Sequence, residues 1–493
     1  MRTVILAAAM IFCHAYASRG AEVTVVPVGL QKQLLVDDYA IAETHKVERV
    51  LGRVEKANDG QPIFEDGWFY GTVLHDEDRF KLWFRKIDED GTGGFRTYGF
   101  GYAESADGIH FTHAADVSGI NFVGDFNLAV ELNRDDAPSQ FRYIGGYDAP
   151  TMAAGIACSS DGIHWKPLNN GEAVTFRAAD CHNQIIWDPI AKTYRLFTRT
   201  DFGAGGGPLA NRVARDFEVR GTRVMTNPEI SVDPTNWSTV RQWYFNREGP
   251  DEYLRRQIYS MTVWIYEGIY FGLMSVYEYP GDISEGRETD IVTRHDRDVM
   301  EYYIATSRDC DNWDLTWVYA GEPIVPRGPD GSFDKDWVFP SSTVVTHDDQ
   351  HWFYYGGAAE RHGTAELQPH VWFGRRGKIG VATLPRDRLV GWHAGPREGT
   401  IVTKPFVLKG PTLLINVDCS EGKVAVEVLD SAGEVIRGYG GDDSVVLRRV
   451  DDLDVRPTWN TKADLSELMG QTVRLRFRLT LADLYAFQVM PGS

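Results

Sequence analysis

Long apolar runs are almost missing from this chain of 493 residues. After residues 4 to 12 no stretch approaches the roughly 18 consecutive apolar positions that a spanning helix needs, so no membrane anchor is expected. Cysteine is scarce as well: Cys13 directly follows the first apolar run, and Cys158, Cys181, Cys310 and Cys419 are scattered with neither CxxC pairs nor metal-ligand spacing. That excludes a zinc ribbon or a disulfide-built scaffold. Buried free thiols are expected, with a Cys158–Cys181 disulfide left open for an oxidising compartment. A basic excess is also missing, since 51 Lys and Arg face 70 Asp and Glu for a net charge of -19. Phosphate backbones want a basic face, so nucleic acid is not an expected partner. Convincing helical periodicity is rare too.

Met1 and Arg2 lead into the apolar run, and Ala15-Tyr16-Ala17 offers a small-x-small cleavage site, which together predict a secretory signal peptide over residues 1–20 and a secreted or periplasmic protein. Aromatic residues make up 12% of the chain, and they recur with β-branched residues in runs of five to eight between turn signals, the pattern of an all-β architecture.

The phrases "SADGIHF" (105–111) and "SSDGIHW" (159–165) nearly repeat each other, and they close a larger repeat of paired hairpins. The first unit reads "YGTVLHDEDRFKLWF" and "YGFGYAESADGIHF". The second reads "NLAVELNRDDAPSQFRYIGGY" and "AAGIACSSDGIHW". The third has "NQIIWDPIAKTYRLFTRT" and a less clear "NRVARDFEVRGT". The fourth has "YSMTVWIYEGIYFGLMSVYE" and "EYYIATSRDCDNWDL", and the fifth "SSTVVTHDDQHWFYYGG" and "KIGVATLPRDRLVGWHA".

Five four-stranded units in series predict a five-bladed β-propeller over residues 61–397, because each twisted sheet must bury both faces against its neighbours. Residues 201–257 and 279–300 are read as insertions. From residue 398 to 493 the alternation changes to a β-sandwich. Residues 21–60 form an N-terminal strand and linker, in which "QLLVDDYAIA" (33–42) packs on the sandwich or closes the ring.

The order of units, the S-x-D-G-x-x-[WF] turns, the opening "LLVDDYAI" and the terminal sandwich resemble the secreted five-bladed glycoside hydrolases of families 32, 43 and 117, most closely proteins like the family 32 amino-terminal domain. The resemblance spans nearly the whole mature chain. The invertase-type W-M-N-D-P-N-G signature and its R-D-P and E-C motifs are absent, and "WDP" at 187–189 falls in a turn, so no residue is carried over by motif. What the resemblance implies is a carbohydrate substrate bound at the axis, on the face where innermost strands begin and second strands end. A cofactor is not expected; a structural metal ion at the axis stays open.

Residues entering the inner strands on that face are Glu65, Asp66, Trp68, Asp125, Asn127, Asp180, His182, Asn183, Tyr259, Asp336 and Trp337. Leaving the second strands are Arg85, Asp148, Arg199, Asp201, Glu278, Glu360, Arg361 and His362. Glycoside hydrolysis needs two carboxyl groups across the scissile bond, one protonated and one ionised. Asp125 and Asp180 are expected as base or nucleophile and as transition-state stabiliser, with Glu278 or Glu360 as proton donor. His182 is the alternative acid, since its ordinary pKa lies near neutrality. The others are expected to bind substrate.

Each has a blander alternative. An Asp ahead of a strand is commonly a turn cap, and Glu65 and Asp66 could solvate a loop. Trp68 and Trp337 either stack on a sugar or pack between blades. His182 could be a satisfied inner histidine or a metal ligand, and "ERH" at 360–362 an ion-pair network. A non-catalytic glycan-binding propeller and a glycoside phosphorylase, with phosphate held by Arg361 and His362 or by Arg375 and Arg376, are the other readings. His110 and His164 fall on the opposite face and are poor catalytic candidates.

Overall fold

A computed structural model describes residues 25–65, 67–89, 95–121, 127–149, 153–175, 181–201, 219–249, 252–279, 298–361 and 377–492. The secondary structure is almost entirely β, with one short α-helix, Thr316–Ala320, among the described residues. The chain divides into two compact units, one of residues 48–392 and 484–486, the other of residues 1–47, 393–483 and 487–493.

The larger unit is a series of antiparallel sheets in chain order. The first is Gly67–Asp76, Arg79–Glu89, Phe95–Ser105 and Thr112–Asp116; the second is Leu128–Leu132, Tyr143–Ala149, Ala153–Ser159 and Trp165–Pro167. The third comprises Gln184–Asp188, Thr193–Asp201, Arg220–Asn227 and Ser238–Trp243. Residues 220–243, expected to lie within an insertion at 201–257, therefore supply the third and fourth strands of this sheet.

Arg256–Tyr266, Ile269–Glu278 and Val299–Ser307 form the fourth sheet, which continues through a parallel bridge, Met300 to Trp337, into the fifth. There Trp337–Pro340 and Val345–His347 pair along one edge of Gln350–Ala358, and Lys378–Pro385 pairs along the other. The outer place of this last sheet, expected from residues 390–394, is taken by Glu55–Lys56, with Lys56 opposite Ala382. The segment 33–42 belongs to the other unit, where Ile41–His45 pairs with Gly399–Thr403.

Apolar side chains fill the spaces between successive sheets. Leu74, Trp83 and Tyr102 of the first pack with Val130, Tyr143 and Ala157 of the second. Ile144 and Ile156 meet Ile185 and Leu196 of the third, and Phe197 and Val224 meet Met261 and Met274 of the fourth. Phe69, Val73 and Phe80 of the first pack against Val345, Tyr354 and Val381 of the fifth. Each such side chain contributes about 1.5–3 kcal/mol when fully buried.

Polar links repeat at these junctions. A residue ending an innermost strand accepts a hydrogen bond from a tyrosine that opens the second strand of the next sheet. Asp76 accepts from Tyr143, Asn133 from Tyr194 at 3.1 Å, and Asp188 from Tyr270 at 2.8 Å. Burial would raise the Asp76 carboxyl, but Lys81, Tyr143 and Arg142 outweigh it and hold it at about 2.

A second set of bonds ties the innermost strands together. Thr72 Oγ1 lies 2.6 Å from Ser342 Oγ and accepts the Val130 amide at 2.9 Å. Gln184 Nε2 donates towards Glu131 Oε1, the Val263 carbonyl and the Ser342 carbonyl at 2.8 to 2.9 Å, while its Oε1 accepts the Val263 amide at 2.7 Å. One belt thus links the first, second and third sheets to Val263 and Ser342, which come from the two halves of the continuous eight-stranded sheet.

The repeated S-x-D-G phrase forms self-contained turns between third and fourth strands. Ser105 Oγ accepts the amides of Asp107 and Gly108, and Asp107 Oδ1 accepts those of Ile109 and His110. Ser159 and Asp161 repeat the same bonds. Gly162 adopts φ 78°, and a Cβ there would sit 2.6 Å from the Trp83 ring, so glycine is required twice over. The turn at Ser307 carries Cys310 in that place at φ 62°, a strained choice for a thiol residue.

In the smaller unit, Thr472–Thr480 pairs with both Gly399–Thr403 and Lys423–Leu429. Its strict alternation of buried and half-buried residues gives one apolar face and one polar face carrying Arg474, Arg476 and Arg478. Glu427 accepts from Arg476 Nε at 2.5 Å on that polar side.

Candidate functional site

Where the innermost strands begin, aromatic side chains from several sheets converge. Tyr70, Cys181, Tyr259, Tyr277, Met300, Trp337, Phe339 and Ala358 form one buried cluster. Tyr70 and Tyr259, each fourth in its strand, touch through their hydroxyls at 2.6 Å. Trp337 meets the Tyr259 ring edge-on at 6.2 Å and is 3% exposed, so it packs in the floor.

Cys181, His182 and Asn183 lead into the strand Gln184–Asp188 and close the floor on another side. His182 is buried, edge-on to Tyr70 and tilted against Phe339 at 4.9 Å. Burial pushes its pKa down to about 3, with the Gly71 backbone opposing weakly. Desolvation thus favours the neutral imidazole over its charged form. Asn183 Nδ2 donates to Asp148 Oδ1 at 3.2 Å, and Asn127 is fully buried.

Charged groups line the same end. Arg85 lies over the Tyr70 ring, and Arg199 and Arg220 over that of Tyr259. Glu278 ends its strand beside Arg256, whose Nε is 3.5 Å from Oε1, and accepts a hydrogen bond from the Tyr303 hydroxyl. Burial outweighs these favourable partners and pushes the Glu278 carboxyl above its ordinary value. Glu301 lies two pairs further along the neighbouring strand, since Val276 faces Glu301, Tyr277 faces Met300 and Glu278 faces Val299. Burial raises its pKa too, against the pull of Arg327, whose Nε reaches Oε1 at 2.5 Å.

Other expected residues fall differently. Asp336 bonds Lys335 Nζ at 2.8 Å and faces Arg361 Nε at 3.9 Å, so Arg361 joins an ion-pair group. Glu65 is exposed and pairs with Lys378 at 3.1 Å. Glu360 follows Gln350–Ala358 and is half-buried. Trp68 stands opposite Arg85 and Asp201 opposite Arg220 in their ladders. Asp66, Asp125, Asp180, His362, Arg375 and Arg376 lie outside the described residues. Among the described residues, no cluster of three or more His, Cys, Asp or Glu side chains is placed to hold a metal ion, and no helix is long and apolar enough to cross a membrane.

Sequence reasoning missed Arg220 and Glu301. It counted the starts of innermost strands and the ends of second strands; the starts of third strands lie at the same end and contribute both residues. His110 and His164, by contrast, are exposed partners of Asp107 and Asp161 in the turns.

No protein-family model matches the sequence, and no curated protein matches it. Among solved structures the chain is similar to a glycosyl hydrolase from Bacteroides ovatus, at 16% identity and a TM-score of 0.39 over 72% of this chain and 96% of that one. It is also similar to the beta-1,2-mannobiose phosphorylase from Listeria innocua, at 14% identity and a TM-score of 0.40 over 70% and 98%. A thermostable family-43 glycoside hydrolase has 14% identity and a TM-score of 0.41 over 64% and 88%.

Proposed function

We propose that the larger unit is a five-bladed β-propeller, that the smaller is a β-sandwich, and that the protein is a secreted glycoside hydrolase working where the innermost strands begin. One observation carries the reading: at that end an aromatic floor of Tyr70, Tyr259, Tyr277 and Trp337 adjoins Glu278, a carboxyl whose pKa is raised by burial beside Tyr303 and Arg256. Aromatic rings offer an apolar face to a sugar ring. A carboxyl whose pKa is raised by burial holds its proton more readily and can give it to a leaving glycosidic oxygen.

Glu278 is the proton donor in this scheme. Asp125 and Asp180, which in sequence stand just ahead of Asn127 and Cys181, are the ionised partners, one as base or nucleophile and one stabilising positive charge at the anomeric carbon. His182, neutral and buried under the floor, positions Tyr70 and Phe339.

Turnover of a panel of plant and algal polysaccharides by the purified protein tests the reading, with Asp180→Asn and Glu278→Gln alongside. General acid or base catalysis contributes about 10²–10⁴-fold, so losses of that size are expected. Unchanged turnover in both variants removes the assignment. Turnover that depends on added phosphate, releasing a sugar phosphate, makes the enzyme a phosphorylase instead.

A further inference from the structure

Two imidazoles are stacked across the junction between the first and fifth sheets. His75, next to last in Gly67–Asp76, and His347, last in Val345–His347, have ring centres 4.0 Å apart and planes 29° from parallel. Phe80 closes one side, edge-on to the two rings at 4.8 and 5.2 Å, and tilts against Trp352 at 5.3 Å. The Trp352 indole N–H donates to the His347 carbonyl at 3.3 Å. Both histidines are half-buried, and Phe80 is buried.

The charged groups around the pair are unevenly placed. Asp348 Oδ2 lies 3.2 Å from His347 Nε2 and favours a charge on that ring. On the first-sheet side, Asp76 is bonded to Lys81 at 2.8 Å and to Arg142 of the second sheet at 2.7 Å, and Glu77 reaches the same two cations at 2.9 and 3.3 Å. Arg79 stands opposite Asp76 in the ladder. Asp349 is held by Arg386 at 2.8 Å, and Asp107, in the other turn of the first sheet, by His110 at 2.8 Å. Asp78 is exposed and attracts a charge on His75 through solvent.

A first proton, on His347, therefore has a carboxylate beside it, whereas a second, on His75, sets two cations face to face at 4.0 Å. Burial and the His347 charge hold the His75 pKa below its ordinary 6.5, against the pull of Asp78, Asp348 and Asp76. Because the folded-state value is the lower one, the stability tied to His75 is complete above pH 6.5 and is lost as pH falls below it.

We propose that the His75–His347 stack is an acid-sensitive latch: with at most one ring charged the junction stays shut at its turn end, and with both charged the first and fifth sheets part there. The latch is independent of what the floor binds. The junction of the second and third sheets, packed by Ile144, Ile156, Ile185 and Leu196, serves as the internal control.

Hydrogen–deuterium exchange of the full chain at about pH 7.5 and about pH 5, corrected for the intrinsic pH dependence of amide exchange, tests it. On acidification, exchange within residues 70–84 and 341–356 should rise about ten-fold or more, and within 184–200 less than about two-fold. His75→Phe keeps a ring in the stack that cannot be charged, so both segments should then exchange in acid as slowly as at neutral pH. If that variant does not fold, His347→Phe tests the same stack from the other sheet. Exchange in the two segments that is indifferent to pH, or that rises as much in the Phe variant as in the natural chain, overturns the latch. An equal rise within 184–200 marks general acid unfolding and overturns it too. None of these outcomes touches the glycan reading, which turnover decides.

Discussion

The same strands end in two chemically different surroundings, although both ends carry Asp, His and Tyr. At the turn end, Asp107, Asp161 and Asp309 accept local amides. Burial raises the Asp309 carboxyl, yet bonds from Asn312, Asp311 and Ser307 hold it at about 2, and His110 and His164 stand in solvent. At the floor end, Glu278 and Glu301 are pushed up and His182 down, all by burial. Residue type alone therefore says little. A carboxylate whose neighbours satisfy it is architecture, and one held against desolvation is available for chemistry.

The largest effect that could break this contrast is on turnover. Glu278→Gln should lower it about 10²–10⁴-fold, while Asp161→Ala leaves it unchanged; equal losses would erase the distinction between the two ends. Because Glu278 must carry a proton to act and its pKa is raised, turnover should fall as pH rises through that value. Next in size, Asp188→Ala strands Arg195, whose Nε is 2.6 Å from the carboxylate, and should cost about 3–5 kcal/mol in denaturant unfolding.

A third test concerns the belt between the ends. Burial pushes Glu131 up to about 8, opposed by bonds from Gln184 and Ser342. Between its ordinary value and that one the folded state binds the extra proton, so stability falls as pH rises, by up to about 1.4 kcal/mol per pH unit. Glu131→Gln should flatten that slope in melting curves between pH 5 and 8. The smallest effect is in the turn: Asp161→Ala should cost roughly 1 kcal/mol through the lost amide bonds to Ile163 and His164.

Much of the pattern was legible because period-two alternation and turn phrases are local signals. Tyr259, Trp337, His182, Asn183 and Arg199 followed from strand order alone. What escaped depends on partners far away in sequence. Glu55–Lys56 is too short to read as a strand, and only Ala382 and Thr383 make it one. The polar run at residues 220–243 looked like an insertion because its pairing with Thr193–Asp201 has no local signature. Tyr143, Tyr194 and Tyr270 look like ordinary strand aromatics until the next sheet supplies Asp76, Asn133 and Asp188. The raised carboxyls were invisible for the same reason, since burial is a property of the assembled sheets.

The Thr72–Ser342 contact joins residues 270 positions apart. During synthesis the first sheet must wait, with one flank uncovered, until the ribosome has delivered the last. Such high contact order predicts slow folding that comes only after the chain is nearly finished. A nascent chain in that condition depends on chaperones to keep its waiting edges from pairing with a neighbour.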